Sequence, residues 1–208
     1  MGIGVGVEEK FKVKLLTLSP IALQVIYCKG AISNLADLKG KTVRTYNRGM
    51  TDLVEAAGAA TVNIPFAEVV PSMQRGVADC AVTATSAGNT ARWWEVTDSL
   101  VMVPMGWATT FFAANLANWN RLDPAVKEFL TTEFAAMEDR QWAQAADDIQ
   151  DGINCNTGMG ECKNGVPAER KMTLVELSAE DQATAQQMVQ GVLKGWSERC
   201  GAECAADW

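Results

Sequence analysis

The sequence predicts an α/β protein with a largely parallel sheet, and three observations carry that reading. Between residues 42 and 114, short β-branched or apolar runs alternate with helix-like runs. Glycines such as Gly40, Gly58 and Gly76 punctuate those runs where turns and helix stops belong. From Asp123-Pro124 onward one helical pattern continues for roughly thirty residues, long for a single lobe and suited to an element lying across two.

Taken in order, Phe11-Lys12-Val13-Lys14-Leu15 alternates as a half-exposed strand does, and Leu23-Gln24-Val25-Ile26-Tyr27 is a second strand. Gln24 is the polar residue within it, either on an exposed face or hydrogen-bonding into a cleft. A turn at Lys39-Gly40 leads into the β-branched strand Thr42-Val43-Arg44. The run Thr51 to Ala57 is helical and stops at Gly58. Thr61 to Pro65 is extended, since a proline holds the preceding residue out of helical geometry. Phe66 to Arg75 is helix-like up to Gly76, with Pro71 tolerable only in a first turn. Ala78 to Thr83 reads as a buried strand. A break at Thr85-Ser86 and a helical run to Trp94 follow, then strands over 100–103 and 109–114.

Asp123 as N-cap and Pro124 in the first turn open the long helix, which meets no breaker until Gly152. Val126, Phe129, Leu130, Phe134, Met137, Trp142, Ala145 and Ile149 recur every three or four residues as one apolar stripe. A short strand at Met172–Val175 follows, and Ser178 with Asp181 three residues on opens a last helix ending at Arg199-Cys200-Gly201.

The composition is that of an ordinary globular protein: 208 residues, 48% hydrophobic and 21% charged. No apolar run is long enough to span a bilayer. A net charge of −7 speaks against a nucleic-acid partner, while one focused positive site still suits a small anion. The absence of histidine removes Ser-His-Asp and Cys-His catalysis and histidine-ligated zinc, so no metal or other cofactor is expected. Among the six cysteines, Cys155 with Cys162 and Cys200 with Cys204 are close enough for local disulfides, which form in an oxidising compartment such as the periplasm. Cys28 and Cys80 lie in apolar runs and read as buried thiols, unless their strands prove adjacent. Met1 to Val7, followed by Glu8-Glu9-Lys10, is too short and too soon charged for a signal peptide. Either a leader has been removed or the chain is part of something longer.

Arg44 falls near the carboxyl end of a strand in a βα unit, the edge where open α/β sheets bind ligands. A guanidinium there is a permanently charged fork suited to a carboxylate. The plainer alternative is a surface arginine in a solvated ion pair.

In order, the chain carries Asp37-Leu38-Lys39-Gly40-Lys41-Thr42-Val43-Arg44, Ala57-Gly58-Ala59, Pro65-Phe66-Ala67-Glu68-Val69 and Gln74-Arg75-Gly76-Val77-Ala78-Asp79. Asn118-Trp119-Asn120-Arg121-Leu122 and Pro124 follow. This series resembles the dicarboxylate-type (DctP) solute-binding proteins of tripartite ATP-independent periplasmic (TRAP) transporters, over residues 15–150. The resemblance implies a class II periplasmic-binding-protein fold that closes around an organic acid and delivers it to an ion-driven membrane permease. It makes Arg44 the carboxylate clamp and places Phe66 in the pocket lining. Thr83 stands where the family often has asparagine, and Gln24 where it often has a second basic residue, so a monocarboxylate fits as readily as a dicarboxylate. Trp107 either stacks on the ligand or fills the core.

By the same resemblance, residues 1–29 are a remnant of a first lobe with its crossing strand, and 30–114 form the second α/β lobe carrying the clamp. Residues 115–208 supply the long spanning helix, a disulfide loop and the C-terminal helix. Most of a first lobe is expected to be missing, which weakens ligand binding and leaves an apolar face prone to self-association. Two other readings are a truncated, non-binding fragment and a thiol oxidoreductase. The Cys155-x6-Cys162 spacing and the lack of histidine argue against the latter.

Overall fold

The structure, a computed structural model, describes residues 8–205 apart from Ala22, Pro104 and the side chains of Glu203 and Cys204. Its strands are β1 (Val13–Ile21), β2 (Gln24–Cys28), β3 (Thr42–Thr45), β4 (Ala60–Asn63), β5 (Cys80–Ala84), β6 (Ser99–Val101), β7 (Ala108–Asn115) and β8 (Thr173–Val175). Its helices are α1 (Arg48–Ala56), α2 (Val69–Gln74), α3 (Thr85–Thr90), α4 (Leu116–Arg121), α5 (Pro124–Thr157), α6 (Ala179–Cys200) and the short α7 (Ala202–Ala205). The chain forms two compact units. One comprises Met1–Ala22 and Trp107–Asp147, the other Leu23–Gly106 and Asp148–Trp208.

The larger unit is built on a six-stranded sheet in the order β4-β3-β5-β2-β6-β8. Only β2 opposes the common direction, so the sheet is largely parallel. Both β2 and β5 are buried along their whole length, which is why they read as near-continuous apolar runs. Side chains alternate between two cores. Ile26, Cys28, Val43, Cys80 and Val82 join Leu38, Met50 and Val54 on one face. Val25, Tyr27 and Ala81 join Met73, Trp93 and Leu100 on the other. Because β2 runs backwards, its first residue, Gln24, lies opposite Ala84 at the end of β5. Gln24 therefore stands at the carboxyl edge of the parallel strands.

That antiparallel pairing also corrects the expectation of free thiols. Cys28 lies directly opposite Cys80, and the two form a disulfide with a Cα separation of 4.1 Å. Cys155 and Cys162 are bridged as expected. Cys200 is also disulfide-bonded, and its expected pairing with Cys204 falls on a side chain outside the described residues.

Local chemistry moves several boundaries. The first helix starts at Arg48 rather than Thr51, because Asn47 caps it by accepting from Met50 N at 2.9 Å. It still closes at Gly58, which has a φ of +82°. Thr85-Ser86 is no break but the first turn of α3. The long helix starts at Pro124 as expected but runs through Gly152 to Thr157. At Gly152 a Cβ would lie 2.5 Å from Ser86 N and from Thr85 Oγ1. Glycine is there to let α5 approach the start of α3, and it does not end the helix. Gly152→Ala is therefore expected to destabilise the fold by about 1–3 kcal/mol. Urea unfolding measures this, and an unchanged midpoint would contradict the close approach.

Beside Gly152, the buried Asn156 Nδ2 donates to Gly152 O (2.7 Å), Thr85 O (3.0 Å) and Tyr27 Oη (2.9 Å). Asn89 Nδ2 donates to Val166 O at 2.9 Å, and Asn89 Oδ1 accepts from Val166 N at 2.8 Å. This network fastens the segment after the Cys155–Cys162 bridge to α3. At the far end of the unit, Ser178 caps α6 as expected, accepting from Asp181 N.

In the smaller unit β1 and β7 pair antiparallel, with an irregularity between Leu15 and Thr17. The Glu138 carboxylate accepts from the Thr17 hydroxyl (2.7 Å) and from Leu18 N (3.1 Å), tying β1 to the helix. The apolar stripe divides: Ala145 is buried, whereas Val126, Phe129 and Trp142 are exposed.

Candidate functional site

Arg44 occupies the third position of β3, facing the core that holds Trp93. Only 3% of it is exposed. Its Nε donates to Ile64 O (2.8 Å) and its Nη1 to Val82 O (3.0 Å), which fixes the plane of the guanidinium. The Tyr46 ring lies 5.2 Å from Cζ and the Trp93 ring 6.0 Å, both within cation–π range. None of the ion pairs among the described residues includes Arg44. Burial pulls its pKa down, with Tyr46 opposing, yet an arginine remains charged. A nearly buried cation held by two carbonyls and two aromatic faces, with no carboxylate partner, is an electrostatic demand for an anion. Nη2 makes no hydrogen bond among the described residues and is not a sealed atom, so it is the group an incoming oxygen can reach.

The other sequence-predicted residues fall around it as follows. Gln24 is fully buried, and its Oε1 accepts a 2.7 Å hydrogen bond from the Tyr46 hydroxyl. Thr83, in β5, shares the sheet face of Val25 and Ala81. Its hydroxyl has no protein partner among the described residues. Phe66 follows Pro65 in a short 3-10 turn, is 43% exposed, and lies 5.2 Å from the Trp93 ring. These three residues share the larger unit with Arg44. Trp107 belongs to the smaller one, where it stacks on Trp142 with the rings 6.5 Å apart.

Two residues that sequence reasoning passed over belong to this edge. Tyr46 gives no local signal, since it lies in the bend after β3 and packs against the core on the other sheet face. Trp93 was placed in a helical run, with no sign that its ring would lie beneath the guanidinium. The Trp93 indole N–H is buried without a partner. Elsewhere, Asp151, Cys155 and Cys162 lie close together, but both sulfurs are in the bridge and offer no thiolate to a metal. The Asp151 carboxylate instead accepts from Lys163 N and Asn164 N.

An arginine that is nearly buried at the carboxyl edge of a mostly parallel sheet, with no carboxylate partner among the described residues, is a geometry suited to binding acids. The family model for DctP, the bacterial extracellular solute-binding proteins of family 7, matches residues 8–199. The chain belongs to this family. Solved structures extend the likeness. The Bordetella pertussis solute receptor DctP7, which binds pyroglutamic acid, is 23% identical over 94% of this chain and 62% of its own, with a TM-score of 0.82. Its counterpart DctP6, also binding pyroglutamic acid, is 21% identical over 97% of this chain and 64% of its own, with a TM-score of 0.83. The ectoine-binding protein of the TeaABC TRAP transporter of Halomonas elongata is 18% identical over 96% and 62%, at a TM-score of 0.81. At such identities the likeness concerns the fold, which is the class II periplasmic-binding-protein type. The DctP chain described here spans less than two thirds of the length of these relatives. No helix among its described residues is long and apolar enough to cross a membrane.

Proposed function

We propose that this chain is the extracytoplasmic solute receptor of a TRAP transporter, capturing a small organic acid for ion-gradient-driven uptake by the membrane permease subunits. The observation that carries the reading is Arg44, a nearly buried cation with no counter-ion among the described residues and one open nitrogen. The ligand carboxylate meets Nη2, Thr83 supplies a hydroxyl, and Phe66 excludes water. Gln24 shapes the same edge through its hydrogen bond to Tyr46. A carboxylate there meets a fixed charge in surroundings where screening is weak.

Membership of the DctP family supports the reading. So do the acids in the matched structures, pyroglutamic acid in two from Bordetella pertussis and malonate in one from Rhodoferax ferrireducens. The Cys28–Cys80 and Cys155–Cys162 bridges fit an oxidising compartment, which we take to be the periplasm.

Calorimetric titration with 2-oxo acids, hydroxy acids and dicarboxylates, each beside its neutral amide, tests the proposal. At least one acid is expected to bind and its amide to fail. Equal binding by acid and amide, or heat from neither, would count against an anion receptor.

A further inference from the structure

We infer that Tyr46 sets the substrate class, selecting a monocarboxylate that carries a hydroxyl or N–H donor near its acid group and disfavouring dicarboxylates. This deepens the receptor reading of Arg44 and rests on it. Three observations combine. Gln24 is fully buried, so its amide acts through whatever it holds in place. One group it holds is the Tyr46 hydroxyl, 2.7 Å from Oε1. An amide oxygen is an acceptor only, so the phenol must donate, and its single proton is committed. The phenol oxygen can therefore offer lone pairs alone to anything beside it.

The second observation is position. Tyr46 is only partly buried, and its ring lies 5.2 Å from the Arg44 guanidinium carbon. In this assignment a carboxylate on Nη2 binds beside that ring. A hydroxyl or N–H close to the carboxylate can then donate to the phenol oxygen. A second carboxylate in that place would meet lone pairs with no proton to receive.

The third is charge. Strands β2, β4 and β5, which surround Arg44, contain no basic residue. Arg48, the next cation along the chain, is paired with Asp52 at 2.7 Å. A second negative group entering this edge would find no cation on those strands beside Arg44 to offset its lost water. Rejection by an unmatched charge discriminates as strongly as any attractive contact.

The test compares L-lactate, propionate and malonate on the whole chain by saturation-transfer NMR and calorimetry. Propionate keeps the carboxylate without the donor, and malonate carries a second carboxylate instead. Lactate is expected to bind about tenfold more tightly than propionate, the ratio one well-made hydrogen bond gives, and more tightly than malonate. In Tyr46→Phe, which keeps the ring over Arg44, lactate should fall to the level of propionate while propionate itself stays within about twofold. Gln24→Met releases the phenol proton, and malonate should then gain on lactate.

Equal affinities in the wild type, or a lactate preference surviving Tyr46→Phe, overturns the assignment to Tyr46 and leaves the receptor reading standing. Binding of none of the three, or equal binding by Arg44→Met, overturns the reading of Arg44 itself. Circular dichroism confirms that each variant is folded. Should Tyr46→Phe fail that check, the wild-type order and the Gln24→Met shift decide the matter.

Discussion

Replacing Arg44 by methionine is expected to weaken acid binding by about 2–5 kcal/mol, a loss of at least roughly 30-fold, while the chain stays folded. The size follows from burial. A charge pair on an exposed surface contributes less than about 1 kcal/mol, because water screens it. Arg44 is 3% exposed, and two carbonyls fix its plane, so little ordering remains to be done when a ligand arrives. Arg44→Lys should recover little of the loss. A lysine is a flexible point charge and cannot reach Ile64 O and Val82 O together while presenting a third nitrogen. Calorimetry on the three proteins measures the difference. Affinity retained by Arg44→Met would mean that the acid binds elsewhere.

The second large effect concerns stability. Removing the Cys28–Cys80 bridge by a double alanine substitution is expected to lower the unfolding free energy by about 4 kcal/mol. Removing Cys155–Cys162 should cost about 2 kcal/mol. The difference arises because the first bridge closes a separation of 52 residues and the second only 7, so the first restricts the unfolded chain more. The first also pins β2 to β5, the strands that present Gln24 and Thr83. Urea unfolding of both double variants tests the ranking, and a larger cost for the short loop would reverse it.

What the sequence revealed and what it hid divide along a physical line. The Arg44 strand was legible because a glycine turn, two β-branched residues and a following helix are local signals, and Arg44 lies one residue before that strand's end at Thr45. The caps at Asp123 and Ser178 were legible for the same reason. The Cys28–Cys80 bridge was not, since it depends on β2 lying beside β5 across an intervening βαβ unit. Gly152 read as a breaker because glycine weakens helices, yet the close approach of α3 gives that position its purpose. Gln24 was recognised as unusual from its apolar neighbours. Its partner Tyr46 was not, because a hydrogen bond between the start of one strand and the residue after another is a tertiary fact. That Arg44 has no carboxylate partner among the described residues is of that kind too, since a sequence shows the charge and not what surrounds it.

The most direct measurement is NMR of the Arg44 guanidinium nitrogens during titration with lactate and with its neutral amide, lactamide. The account predicts that lactate shifts the Arg44 signals in a saturable way and that lactamide leaves them in place. Signals that move equally with both compounds, or with neither while the acid demonstrably binds, would contradict the assignment of Arg44 as the carboxylate clamp.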